Sequence, residues 1–144
     1  MGFKLDRVHV WSGEAPDRVG GVAGLLATLA QAGANLEFIL TQRRSDKPGT
    51  GYIFVAPVSG ASQVKAARAV GLTETYNPVV LRVEGDNEAG LGHRVTQQWA
   101  IAGISLQGLT MCVLGNKFVG YAAFDTNTDA NRAAAILGDL GANN

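Results

Sequence analysis

The chain has 144 residues, enough for one domain or two small ones, and it is 47% hydrophobic against 17% charged, so it carries the apolar material for a globular core. Its 12 basic and 12 acidic residues cancel, and no basic run exceeds Arg43-Arg44, which excludes the concentrated positive face a nucleic-acid binder offers to phosphates. The single cysteine, Cys112, excludes an intrachain disulfide and a thiolate zinc cluster.

The leading residues Met1-Gly2-Phe3-Lys4-Leu5-Asp6 lack the apolar centre of a signal peptide. No stretch approaches the roughly eighteen consecutive apolar residues of a membrane span. The expectation is a cytoplasmic protein without membrane contact. Cys112 lies in the apolar run Met111-Cys112-Val113-Leu114, which predicts a buried or half-buried thiol rather than a nucleophile.

In chain order, Arg7-Val8-His9-Val10-Trp11-Ser12 alternates with period two and predicts a strand. Val8 and Val10 then face helices, while His9 and Trp11 face the other way and call for cover by a second sheet or a partner chain. Gly13 to Asp17 reads as a loop, with Asp17 placed to cap the following helix. That helix carries Val22, Leu25, Leu26 and Leu29 on one stripe and stops at Gly33. Leu36 to Thr41 and Gly51 to Ala56 form a hairpin around the polar stretch Arg44 to Thr50, with Arg43-Arg44 at its solvated end. A weaker helix spans Ala61 to Val70, and Leu72 to Tyr76 is a short fourth strand.

Asn77-Pro78 marks a boundary after which the pattern restarts. Val79 to Glu84 is a strand, Gly85 to Ala89 a loop, and the next helix presents Leu91, Val95, Trp99 and Ala102. Leu106 to Leu114 and Phe118 to Asp125 form a hairpin around Gly115-Asn116, and Gly120-Tyr121 echoes Gly51-Tyr52. A last helix from Asp129 to Leu140 turns Ala133, Ile136, Leu137 and Leu140 inward. Gly141-Ala142-Asn143-Asn144 is too short and polar for a closing strand, so the second sheet needs one from elsewhere, either Met1 to Leu5 or a partner. Gly20 to Gly33 and Gly90 to Gly103 have the same spacing, and this internal repeat is the strongest signal in the chain. Each copy reads strand, helix, strand, strand, helix, strand. The fold class is therefore α+β: two ferredoxin-like βαββαβ units, residues 1–77 and 78–144, with antiparallel sheets carrying their helices on one face.

With these motifs the sequence resembles tandem ACT-domain proteins. In that family the first helix is entered through an Asp-x-Pro-Gly-like turn, and a Gly-x-Asn pair opens the second strand. Asp17-Arg18-Val19-Gly20 and Gly33-Ala34-Asn35-Leu36 take these places in the first copy. Asn87-Glu88-Ala89-Gly90 and Gly103-Ile104-Ser105-Leu106 take them in the second, with Val19 and Ala89 in place of proline and Ser105 in place of asparagine. The resemblance covers Arg7 to Leu140. It implies binding of an amino acid or similar small metabolite at an interface between two such domains, through Asp17, Arg18, Gly20, Gly21 and Asn35 in the first copy and Asn87, Glu88, Gly90 and Ser105 in the second. The first copy, with its asparagine intact, is the preferred site.

Elementary chemistry points the same way. A zwitterionic amino acid needs N–H donors for its carboxylate and oxygen acceptors for its ammonium. Gly20, Gly21 and the helix start can donate, and Asp17 and the Asn35 amide can accept. His9 and His93, one cysteine and no paired carboxylate motif make a poor catalytic inventory, and no metal or cofactor is expected. The reading is a non-enzymatic regulatory sensor, most simply a homodimer. The two repeats consume the chain, so its output passes to a separate effector protein or into a change of oligomeric state. Two rivals stand beside it: an interaction module without ligand, and a small ferredoxin-like enzyme.

Overall fold

The computed structural model describes residues 2–142. Its elements run β1 (Lys4–Val8), β2 (Trp11–Pro16), α1 (Gly21–Gln31), β3 (Phe38–Arg43), β4 (Thr50–Ala56), α2 (Ala61–Ala69), β5 (Thr73–Glu74), β6 (Val79–Asp86), α3 (Leu91–Ile101), β7 (Gly108–Leu114), β8 (Lys117–Phe124) and α4 (Asn127–Ala142). The strands form two antiparallel four-stranded sheets, ordered β3-β4-β2-β5 and β1-β6-β8-β7. The fold is α+β, a pair of ferredoxin-like units with two helices each.

In the first unit, His9–Tyr76, alternate residues of β2 and β4 (Trp11, Ala15, Ile53, Val55) meet Leu25 and Leu29 of α1 and Ala67 of α2. In the second, Leu81, Val83, Phe118, Ala122 and Phe124 meet Leu91, Val95 and Trp99 of α3 and Ala133 and Leu137 of α4. Trp99 stands edge-on to Phe124, ring centroids 5.2 Å apart, and its indole N–H donates to the Ala133 carbonyl at 3.2 Å. The indole thus supplies a large apolar body while its one polar atom is satisfied. Period-two strands and helical stripes at spacings of three and four account for both cores.

The N-terminus departs from the sequence reading. The strand expected over Arg7 to Ser12 is two strands, broken at His9-Val10, and the halves join different sheets. β1 runs antiparallel to β6 from Lys4↔Glu84 to Val8↔Val80, Phe3 and Leu5 pack on the second core, and Arg7 donates to Asn127 Oδ1 of α4 at 3.1 Å. The second unit therefore joins the N-terminal residues through Val8 to the chain from Asn77 onward. A division into 1–77 and 78–144 gives this leading strand to the wrong unit. β1 is the fourth strand that the second copy lacked, supplied by residues 4–8; Met1 and the last two asparagines lie outside the described residues. Trp11, expected on a face needing outside cover, is 4% exposed inside its own core, whereas His9 is exposed. The break lets both residues go inside: Val10 is 2% exposed, and Trp11 and Ala15 alternate onto the helix side of β2.

The hairpins differ too. β7 and β8 turn through Gly115-Asn116, with Leu114 paired to Lys117 and Gly115 at φ 62°, as a two-residue turn needs. β3 and β4 pair Arg43 with Gly51 across a longer loop. In register, Gly51 lies opposite Ala15 and Phe118 opposite Gly85, so Gly51 and Phe118 hold corresponding places. The echo of Gly51-Tyr52 in Gly120-Tyr121 is one of sequence, not of position.

Candidate functional site

Each unit opens its first helix through the same turn. In the first, the Gly21 amide donates to the Arg18 carbonyl at 3.0 Å, and Gly20 sits at φ 81°, ψ −2° as the residue before the helix. In the second, the Leu91 amide donates to the Glu88 carbonyl at 3.3 Å, with Gly90 at φ 77°, ψ 7°. A positive φ at the third residue and a bond from the fourth to the first define a type II turn, which requires glycine third and favours proline second. Val19 and Ala89 occupy that second place. Gly33 and Gly103, at φ 85° and 75°, end the helices in the same left-handed conformation. The repeat spacing thus has one physical cause, backbone conformations that only glycine adopts without strain.

Two expectations about these loops change. Asp17 does not cap α1: no side chain caps Gly20, and the Asp17 carboxylate instead meets Arg43 Nε at 2.6 Å. Gly21 is required for packing rather than for ligand approach, because a Cβ there would collide with the Pro16 carbonyl oxygen. Its amide, already bonded to Arg18, is not a free donor.

Beside the first turn lies a cleft of about 220 Å³, walled by Pro16, Asp17 and Val22 on one side and by Arg43 and Tyr52 of the hairpin on the other. The Asp17–Arg43 pair lines it, the carboxylate mostly covered and the guanidinium largely in solvent. Arg44 lies over the Tyr52 ring, 4.7 Å from its centroid, and bonds Asp46 at 2.7 Å and Glu14 at 3.0 Å. Lys47 reaches Glu14 at 2.9 Å. The Lys47 hydrogen bond and charge, with Arg44 behind them, hold the Glu14 carboxyl below its ordinary pKa. Asp46 is lowered chiefly by its bond from Arg44.

The second unit has a larger cleft, about 300 Å³, on the opposite flank of its sheet, between the residues leading into β1 and the start of α3. Phe3 and Leu91 form its apolar walls; Asp86, Asn87, Glu88 and Arg94 are polar. Arg94 pairs with Glu88, and Lys117 pairs with Asp86 at 2.6 Å. The Asp86 bond raises the Lys117 pKa.

No family model matches the sequence, and no curated protein matches it. Solved structures do. Protein BT0572 from Bacteroides thetaiotaomicron superposes with a TM-score of 0.75 at 13% identity, covering 94% of this chain and 90% of that one. The regulatory subunit of aspartate kinase from Thermus thermophilus gives 0.66 at 17%, covering 95% and 93%. E. coli aspartokinase III, in complex with aspartate and ADP, gives 0.63 at 11%, covering 95% of this chain and 32% of that one. The fold is that of a tandem ACT-domain protein.

Within the two units the expected site residues divide by position. Asp17 lines the first cleft, and Arg18, Gly20 and Gly21 build its turn. Asn87 and Glu88 line the second cleft, whose turn contains Gly90. Asn35 and Ser105 lie elsewhere. Asp17 follows Pro16, which pairs with Thr50, whereas Asn35 precedes Phe38, which pairs with Ala56. The 11 residues of α1, a rise of about 16 Å, separate the two ends, so no single unit gathers Asp17, Gly20, Gly21 and Asn35 in one cleft. Ser105, after α3, is likewise at the far end from Asn87.

Arg43, Tyr52, Phe3 and Arg94 line the clefts without having been legible as site residues. Arg43 reads as a solvated hairpin end until the β3–β4 register sets it beside Asp17, and Phe3 precedes a strand whose partner lies some eighty residues on. Cys112, expected buried or half-buried, is exposed, because β7 is an edge strand and its outward face is bare. Among the described residues no cluster of His, Cys, Asp and Glu is arranged to hold a metal ion, and no helix is long and apolar enough to cross a membrane.

Proposed function

We propose that this protein is a non-enzymatic regulator that binds an amino acid or a closely similar small metabolite. The observation that carries the reading is that each unit sets an acid–arginine pair, Asp17–Arg43 or Glu88–Arg94, in a small cleft beside the turn that opens its helix. Such a pair offers one partner to each end of a zwitterion. Structural neighbours that are aspartate kinase regulatory subunits, and an aspartokinase complex that contains aspartate, support a regulatory role and an amino acid ligand.

The first cleft is the principal site, with Asp17 taking the ammonium and Arg43 the carboxylate. The protein acts in the cytoplasm as a homodimer, without nucleic acid or membrane contact. A second copy brings an ACT-type unit against the cleft, so that Asn35 from one unit and the turn from another meet one ligand. The reason for pairing is not Trp11, which its own core satisfies, but the free edges β3 and β7. These leave Ile39 at 48%, Val113 at 50% and Leu114 at 80% exposure, on strands whose outer N–H and C=O groups seek a ladder. The same edges favour a second reading, an interaction module that needs no ligand.

A thermal-shift screen of the full chain against the twenty amino acids separates the two. Selective stabilisation, abolished in calorimetry by Asp17→Asn and Arg43→Gln, is expected of the sensor. No stabilisation by any amino acid would overturn the sensor and leave the interaction module.

A further inference from the structure

We propose that the helix-free face of the first unit's sheet is a stacking platform for an adenine base carried by a free nucleoside or nucleotide, with Tyr52 and Phe54 as its floor and Gln42 reading the base edge. The proposal does not rest on the amino-acid reading above. Tyr52 and Gln42 also line the first cleft, whereas Phe54, Leu40 and Ser12 do not.

Strand alternation builds the platform. Ile53 and Val55 of β4 turn into the core beneath the helices, so Tyr52 and Phe54 turn to the opposite face. β4 is an inner strand, between β3 and β2. There the two rings lie 6.4 Å apart between centroids, tilted 38° from parallel. Tyr52 is 41% exposed, and Leu40, across from Phe54 on β3, is 38% exposed. Ser12 of β2 flanks Phe54 on its other side. Arg44 braces Tyr52, 4.7 Å from the ring centroid. Rings at alternate positions of an inner strand, on the open face of a four-stranded sheet, are how such sheets stack bases, since every base has a π-face. The second unit does not repeat the arrangement. Its corresponding residues are Val119 and Tyr121, and an Arg82–Glu84 bridge at 2.8 Å lies on the strand beside them.

Two observations narrow the ligand. Gln42, exposed, stands across from Tyr52 on β3, and its carboxamide offers the donor and acceptor that match N7 and N6 of adenine. Among bases that can meet such a pair, adenine covers the most ring surface. The charged groups around Tyr52 are Glu14, Arg44, Asp46 and Lys47, bonded to one another and summing to zero. Arg43, on the other face of β3, is paired with Asp17. These cations have partners already and give the phosphates of a strand little to hold. The base therefore arrives on a single nucleoside rather than in a nucleic acid.

The test is calorimetry on the full chain with adenosine and AMP as probes and guanosine and uridine as comparison bases. Ribose 5-phosphate supplies the ligand without a base, and a short oligo(dA) the base within a strand. Adenosine and AMP are expected to bind one site with affinities within about threefold of each other, ahead of guanosine and uridine. Tyr52→Leu and Phe54→Leu should each weaken adenosine about tenfold or more, since stacking is lost while apolar bulk is kept. Gln42→Ala should erase the preference over guanosine, and Asp17→Asn should change nothing. A urea titration checks that each variant stays folded. No binding of adenosine, or unchanged affinity in both ring variants, overturns the platform and leaves the amino-acid reading standing. Equal binding of ribose 5-phosphate would overturn it by marking an anion site, and tighter, steeply salt-dependent binding of oligo(dA) by marking a strand-binding surface. Loss of adenosine in Asp17→Asn with the ring variants unaffected would place the ligand in the first cleft and overturn it equally.

Discussion

At the scale of single residues, the two helix-opening turns show why so little sequence identity carries so much structure. A type II turn needs a positive φ at its third residue and is indifferent to most side chains elsewhere, so Gly20 and Gly90 persist in the repeat while their neighbours differ. Proline at the second place would restrict the unfolded chain without disturbing the turn. Val19→Pro and Ala89→Pro are expected to stabilise their units by about 0.4–1 kcal/mol each, read as a rise in the urea midpoint. Gly21→Ala should act in the opposite sense, because the new methyl meets the Pro16 carbonyl and the backbone must move. Its loss of stability, about 1–3 kcal/mol, should appear in the same titration, with α1 amides losing protection first. Electrostatics at this scale are local. The folded Glu14 pKa is depressed by Lys47 and Arg44, so its contribution is present above the unfolded value, about 4.3, and is lost as pH falls through the lower folded value. The urea midpoints of the unaltered protein and Glu14→Gln should differ near neutrality and converge under acid. High salt should shrink the difference, since Glu14 and Lys47 are exposed.

At the scale of elements, β1 is the informative one. A strand of 5 residues leaves the first unit after only His9 and Val10 and completes the sheet of the second. There it gives β6 a partner on its outer side and covers the core with Leu5. Leu5→Ala is therefore expected to weaken the second unit, not the first. The cost should be about 1–2 kcal/mol, below that of a fully buried leucine. Hydrogen exchange should show protection falling along β6 and β8 while β2 and β4 are unchanged; a loss shared equally by both units would contradict the assignment. The edges β3 and β7 are the converse case, since each has a partner on one side only.

At the scale of the whole molecule, those edges bear on assembly. Sedimentation of the unaltered protein should give about twice the 15.0 kDa chain mass at micromolar concentration. Ile39→Lys combined with Val113→Lys, placing charge on both bare strands, should return it to the mass of one chain. A monomeric unaltered protein would remove the homodimer from the functional reading while leaving the ring face of Tyr52 and Phe54, built within one unit, untouched.

The α+β class, the tandem repeat, the four helices and the core stripes Leu25-Leu29, Leu91-Val95-Trp99 and Ala133-Leu137 were determined by the sequence itself. They depend on periodicity and on glycine, and both act within one or two turns of the chain. The glycines that open the helices, Gly20 and Gly90, were legible for the same reason, but the loops read over Gly13 to Asp17 and Gly85 to Ala89 begin inside strands, since β2 runs to Pro16 and β6 to Asp86. Tertiary structure alone decided which sheet β1 joins, since the apolar alternation from Arg7 to Ser12 looks the same whether one strand or two are made of it. It also decided that Trp11 lies inside, that Cys112 lies on a bare edge, and that Arg43 and Arg94 rather than Asn35 stand beside the helix starts. Those outcomes are fixed by strand order and register, contacts between residues far apart in the chain that no local pattern encodes.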